Sequence, residues 1–238
     1  LGANVYMIGV IGADSNAEIL KKEFQIRNVN IDNLVVDPAK PTNTYGKLRA
    51  GGHNTPSQEM LRTDTPKPKP IEGKTEERII KNIFKVAKKV DAIMVGDQAS
   101  SVITPKVLSA LTECAKKYHL ITVADSRARA NIFKGFDVIL PNDKEAGIAV
   151  GIDVVDYETL KKAGKALLKI ARNVMVTRGP DGITIFYEDG KIEDVPINPV
   201  QVVDVTGAGD TVTAAVTLAL AVGGSLSECA VLGNTAAG

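Results

Sequence analysis

AIMV at 92–95, LITVA at 120–124, VIL at 138–140 and VMV at 174–176 are short apolar runs without in-and-out alternation. That pattern marks strands covered on both faces. Longer stretches of helical period separate them. Ile79, Ile83, Val86 and Val90 keep one helical face; Leu108, Leu111, Ala115 and Tyr118 keep another, opened by Thr104 as N-cap and Pro105 at the first helical position. Strand and helix in alternation predict an α/β fold, with a mostly parallel central sheet flanked by helices. Met7–Ile11 reads as one more such strand. Ser15 and Glu18 after it are spaced as a capping box for a helix carrying Ala17, Leu20 and Phe24.

One region breaks this rhythm. Residues 42–50 and 57–63 read as two extended arms around Gly51-Gly52, too polar for the main sheet, and Pro66-Lys-Pro-Lys-Pro70 follows. The 42–63 segment is therefore predicted to be a small projecting β lid within a single domain spanning 1–238. Asp181-Gly182 and Asp189-Gly190 bound a second hairpin over 183–195. Leu1-Gly2 resembles the close of a helix, and the helix-like run 225–237 has no strand after it. The expectation is a domain lacking its N-terminal and C-terminal ends.

Of the 238 residues 44% are hydrophobic and 24% charged, enough apolar material for a sizeable core. Lys and Arg number 29 against 28 Asp and Glu, a net charge of +1. Such balance argues against a broad surface for nucleic acid or anionic lipid, so any anion is held locally. Val212–Val222, the most apolar stretch, contains Thr217 and falls well short of the roughly 20 residues of a membrane-spanning helix. Cys114 and Cys229 stand apart without metal-ligand spacing, which suits a reducing cytoplasm. No nucleic-acid and no membrane partner is expected.

The chemistry concentrates in Asp204-Val-Thr-Gly-Ala-Gly-Asp210, between an extended run at 199–203 and a helix apolar nearly all round. Free backbone N–H groups at a helix start carry roughly half a positive charge, and glycines let a phosphate approach them. Asp210 in the first turn is placed to take a proton from a hydroxyl attacking that phosphate. The bland alternative is a glycine-rich helix entry with an acid complementing the dipole.

Asn142 and Glu145 follow the strand at 138–140 and begin a helix. They read either as an N-cap and its partner or as groups holding Mg²⁺ against nucleotide phosphates, directly or through water. Asp125 and Thr177-Arg178-Gly179 end other strands. In a parallel sheet these groups share the carboxyl edge with Gly207–Asp210, where ligands bind in open α/β folds. Arg127 and Arg129 read either as a bidentate pair for a substrate phosphate or as a solvated loop pair.

These residues carry a resemblance. V-D-V-T-G-A-G-D-T at 203–211 resembles the second signature of the ribokinase-like (pfkB) carbohydrate kinases, and P-N-D-K-E at 141–145 resembles their N-x-x-E magnesium motif. T-R-G-P-D-G at 177–182 is similar to their nucleotide-edge strand, and G-V-I-G-A-D at 9–14 to an early G-x-x-G-x-D segment. The resemblance covers essentially the whole chain and implies a ribokinase-like fold and ATP and Mg²⁺ as cofactors. It implies that Asp210 is the catalytic base and that Gly207, Ala208 and Gly209 form the anion hole. Asn142 and Glu145 would organise the metal and phosphates, while Thr177, Gly179, Thr206 and Asn234 line the nucleotide site. Arg62, Asp125 and Arg127 are the candidate substrate contacts, and Asn234 reads equally as an ordinary helix polar residue.

D-V-T-G-A-G-D-T-V and Leu61-Arg62-Thr63-Asp64 further resemble the heptose 7-phosphate kinase half of ADP-heptose synthases. That implies D-glycero-β-D-manno-heptose 7-phosphate as acceptor, with ribose, fructose or nucleoside kinases of the family as alternatives. Asp97-Gln-Ala-Ser-Ser101 departs from that subfamily's D-Y-x-K-G pattern and lacks its lysine. The expected partners are a sugar or sugar phosphate and ATP, with exposed β arms suited to a homodimer. Two rivals stay open: a nucleotide-binding module without catalysis, and a dinucleotide oxidoreductase built on Gly9 and Gly12. The absence of G-x-x-x-x-G-K-[ST] excludes a Walker-type NTPase.

Overall fold

The computed structural model describes residues 2–52, 58–66, 69–98, 101–197 and 207–237. The chain divides into two compact units, Leu1–Ile83 with Ser100–Val107, and Phe84–Ala99 with Leu108–Gly238.

In the first unit, strand β1 (Tyr6–Ile11) leads through helix α1 (Ser15–Ile26) to β2 (Asn30–Val36), which runs parallel to it with Val10 opposite Val35. Met7–Ile11 is thus a strand, hydrogen-bonded to β2 in a two-stranded sheet. The cap of α1 differs from expectation: Asp14, not Ser15, is the N-cap. Its Oδ1 accepts the Ala17 N–H at 2.9 Å and its Oδ2 the Thr42 N–H at 2.7 Å, while Glu18 pairs with Lys21. A carboxylate wins here because it satisfies two amides from different segments, which one hydroxyl cannot do. Those bonds hold the Asp14 carboxyl below the usual carboxylate range. Gly12 explains the early glycine pattern. Its N–H donates to Thr42 Oγ1, and a Cβ there would sit 2.6 Å from the Lys40 carbonyl. The glycine serves close backbone packing, which removes the ground for a dinucleotide loop.

β3 (Tyr45–Ala50) and β4 (Gln58–Asp64) form the expected antiparallel hairpin as a sheet of their own, with exposed Leu48 opposite exposed Leu61. In helix α2 (Gly73–Val86), Ile79 and Ile83 are buried. Buried Glu76 accepts from Thr104 Oγ1 at 2.6 Å and Lys106 Nζ at 3.0 Å. Thr104 also caps α3 (Pro105–Tyr118), as its spacing predicts, by accepting the Val107 N–H.

The second unit is built on one six-stranded sheet. β5 (Ala92–Asp97), β6 (Ile121–Ser126), β7 (Val138–Ile139) and β8 (Asn173–Thr177) are parallel; β9 (Ile183–Phe186) and β10 (Ile192–Val195) continue it antiparallel, in the order β10-β9-β8-β7-β6-β5. The hairpin turns where it was expected to. Gly182 takes φ +79°, and a Cβ on it would clash with the Val195 carbonyl. Helices α4 (Asp143–Val150), α5 (Tyr157–Leu167), α6 (Ala208–Ala221) and α7 (Leu226–Ala237) complete the unit.

The core joins Val123, Val138, Met175, Ile183 and Ile185 of the sheet to Val212 and Val216 of α6 and Cys229 and Ala230 of α7. Each Val, Ile and Met among them contributes about 1.5–3 kcal/mol on burial. A Cβ at Gly233 would stand 3.0 Å from Val212, so glycine lets α6 and α7 approach closely. α6 also contacts β5 and β6, which fixes where its N-terminus opens. Among the described residues no helix is long and apolar enough to cross a membrane.

Candidate active site

Parallel pairing brings the carboxyl ends of β5, β6, β7 and β8 to one edge. Gly96 lies opposite Asp125 and Asp97 opposite Ser126. Asn142, two residues past Leu140, bridges to Thr177, whose N–H donates to the Pro141 carbonyl at 3.1 Å. Asp125, Asn142 and Thr177 therefore share the edge that the strand pattern predicted for them. Gly179 follows Thr177 with φ +55°, opening the turn to β9.

Gly207 begins α6 with φ +82°, a left-handed conformation that glycine adopts without steric cost. Among the described residues no side chain caps this end. The first intrahelical bond runs from the Thr211 N–H to the Gly207 carbonyl at 2.9 Å, so the amides of Ala208, Gly209 and Asp210 have no acceptor within the helix. Among the described residues, a Cβ added at Gly207 or Gly209 would meet nothing within 4 Å, and Asp210 is exposed. The turn thus offers open amides beside a carboxylate. Thr206, with the run at 199–203 and Asp204, lies outside the described residues.

Electrostatics ties these pieces together. Burial pushes the Asp125 carboxyl up to about 7, and the charges of Glu145, Asp210 and Asp97 add to the rise while Arg127 opposes it. Burial also raises Glu145, against the Asn142 backbone bond and the Arg127 charge. Asp125 of β6 thus lies within electrostatic reach of Glu145 of α4 and Asp210 of α6, and the charge of Arg127 acts on both Asp125 and Glu145.

Both cap bonds of the Asn142–Glu145 pair are formed: Asn142 Oδ1 accepts the Glu145 N–H and Glu145 Oε2 accepts the Asn142 N–H, each at 2.9 Å. Capping therefore occupies one oxygen of each group. Among the described residues no cluster of three His, Cys, Asp or Glu side chains is placed to hold a metal ion alone. The oxygen donors nonetheless fit Mg²⁺, which keeps several waters and binds through one or two carboxylates plus substrate phosphates. Burial sets most of the rise of Asp125, and the acidic neighbours that add to it are a charge that a cation there would offset.

Other candidates fall elsewhere. Arg129 is a correction to the paired-arginine reading: its Nε and Nη2 donate to Asp97 at 3.0 and 2.7 Å, a fork spent on a fully buried carboxylate rather than offered with Arg127. Asn234 is buried in α7, and its amide donates to the Val195 and Pro196 carbonyls at 3.1 and 3.3 Å, tying down the end of β10. Arg62 belongs to the first unit, paired with Asp64 at 2.7 Å and lying 5.0 Å over the Tyr45 ring. Arg178, between Thr177 and Gly179, turns to Asp194 of β10 at 3.2 Å and the Asp181 carbonyl at 3.0 Å. Asp194 also accepts from Thr184 and Tyr157. This brace and the Asp97–Arg129 pair escaped the sequence reading, because their partners lie far apart in the chain and follow no local pattern.

The family model described as pfkB family carbohydrate kinase matches residues 1–238. The chain belongs to the pfkB family. This pfkB chain is 32% identical over 241 residues to the bifunctional protein HldE of Geobacter metallireducens, covering 100% of itself and 48% of that relative. It is likewise 32% identical to HldE of Sulfurimonas denitrificans, covering 49% of it. The chain spans about half the length of the curated relatives it matches. In fold it is similar to Arabidopsis thaliana ribokinase complexed with ribose and ATP, at TM-score 0.74 and 21% identity, over 98% of this chain and 74% of that one. Escherichia coli phosphofructokinase-2 in complex with fructose-6-phosphate gives TM-score 0.78 at 19% identity, over 100% and 76%. The fold is ribokinase-like.

Proposed function

We propose that this chain carries the phosphotransfer site of an ATP-dependent sugar kinase, with a heptose 7-phosphate phosphorylated at its anomeric hydroxyl as the preferred reaction. The observation that carries the reading is Asp210 beside the open amides of α6, within electrostatic reach of Asp125. The HldE relatives and the Leu61–Asp64 segment support the heptose acceptor over ribose, fructose or a nucleoside.

Asp210 receives the proton of the acceptor hydroxyl as that oxygen attacks the γ-phosphate in line. The amides of Ala208, Gly209 and Asp210 donate to the phosphate oxygens on which charge accumulates, and they are fixed beforehand by the helix. Thr177, Gly179 and Asn142 form the edge along which the nucleotide phosphates lie; Thr206 and Asn234 are assigned to the nucleotide by the family resemblance alone. Glu145 and Asn142 would hold Mg²⁺, which when bound neutralises phosphate charge. Asp125 and Arg127 are assigned to the acceptor, and Arg62 is assigned to it by the family resemblance alone.

The test is an ADP-release screen of the full-length protein across heptose 7-phosphate, hexose, ribose and nucleoside acceptors. Release that depends on heptose 7-phosphate is expected. Release with another sugar alone would replace the acceptor; ATP binding without release for any sugar would replace the kinase with a binding module.

A further inference from the structure

Asp97 ends β5 with its side chain fully buried. A carboxylate out of water needs partners, and among the described residues its side chain finds them in Ser126, which ends β6, and Arg129 on the turn after it. Arg129 grips it with two parallel bonds, Ser126 Oγ donates to Oδ2 at 2.8 Å, and Ser126 Oγ in turn accepts the Arg129 N–H at 3.1 Å. The Arg127 N–H donates to the Asp97 backbone carbonyl at 3.3 Å. Four bonds thus fasten residues 126–129 to the end of one neighbouring strand, and a fifth closes the turn on itself. Asp125 lies at the base of this turn. Arg127 lies exposed in its middle, and its charge acts on Asp125 and Glu145.

We propose that Asp97 and Arg129 are positioning residues: their buried pair sets the turn after β6 so that Arg127 is held at the carboxylate edge, where it meets the acceptor. The proposal rests on the kinase reading above. Neither residue touches substrate. The geometry demands the planar fork of arginine, because a lysine supplies the charge but cannot make both parallel bonds.

Two measurements test it. Amide hydrogen exchange on the chain follows Arg127 and Arg129 in wild type, Arg129→Lys and Asp97→Asn. Roughly tenfold faster exchange confined to 126–129 is expected in both variants, with the interiors of β5 and β6 unchanged. Steady-state kinetics of the full-length enzyme then form a double-mutant cycle. Arg129→Lys and Arg127→Ala should each lower kcat/KM for the acceptor roughly tenfold or more, and their combination should fall no further than Arg127→Ala alone. Additive losses in folded variants, or unchanged exchange at 126–129, overturn the positioning role while leaving the kinase intact. A wild-type enzyme with no sugar-dependent ADP release overturns the kinase reading, and the proposal with it.

Discussion

Asp125, the penultimate residue of β6, feels the charge of Asp210 in the first turn of α6, although the two are far apart in the chain. The α6 packing against β5 and β6 brings them together. Burial and like charge leave the Asp125 carboxyl at about 7, from an ordinary value of 3.8.

That shift has a sign for stability. The native chain holds this proton more tightly than the unfolded chain, so ionising Asp125 costs stability progressively from about pH 4 upward and in full above about 7. Asp125→Asn removes the cost. Thermal unfolding should find the variant more stable than wild type at pH 8, by on the order of 2 kcal/mol after allowing for partial exposure, and equal to it near pH 4. A difference that grows as pH falls contradicts the assignment.

Gly209 and Gly182 separate binding from folding. Among the described residues a Cβ at Gly209 meets nothing within 4 Å, and alanine favours a helix by up to about 1 kcal/mol, so Gly209→Ala should melt no lower than wild type. In the proposed cup that methyl occupies space meant for phosphate, so ADP release should fall about 100-fold. Gly182→Ala should do the reverse. Its φ of +79° and the clash with Val195 predict a loss of about 1–3 kcal/mol by denaturant unfolding.

Glu145 can be dissected in the same way. Glutamine at this position keeps the bond to the Asn142 N–H, so Glu145→Gln should stay within about 0.5 kcal/mol of wild type, whereas Asn142→Ala should cost about 1 kcal/mol through the lost cap. If the carboxylate serves the metal and phosphates, Glu145→Gln lowers Mg·ATP-dependent ADP release more than tenfold despite intact folding. Full activity in that variant would leave Glu145 as a cap only.

Much of this arrangement was legible before any coordinates. Unbroken apolar runs mark β5 to β8, and parallel pairing then fixes which ends share an edge, so Asp125, Asn142 and Thr177 converge without further information. Local patterns failed where a partner from elsewhere won. Asp14 displaced Ser15 as cap because Thr42, 28 residues on, uses its second oxygen. Arg129 turned inward because Asp97, 32 residues back, is buried. β2 escaped notice because its polar start, Asn30-Ile31-Asp32-Asn33, hides the apolar pair Leu34-Val35 that packs beside β1.

The central claim is that the Asp210 carboxylate takes a proton from the hydroxyl that attacks the phosphate. Replacing Asp210 with Asn in the full-length protein and following sugar-dependent ADP release alongside ATP affinity tests it most directly. The account predicts turnover lower by about 1,000-fold or more with ATP affinity within a few-fold; undiminished ADP release from the folded variant would contradict it.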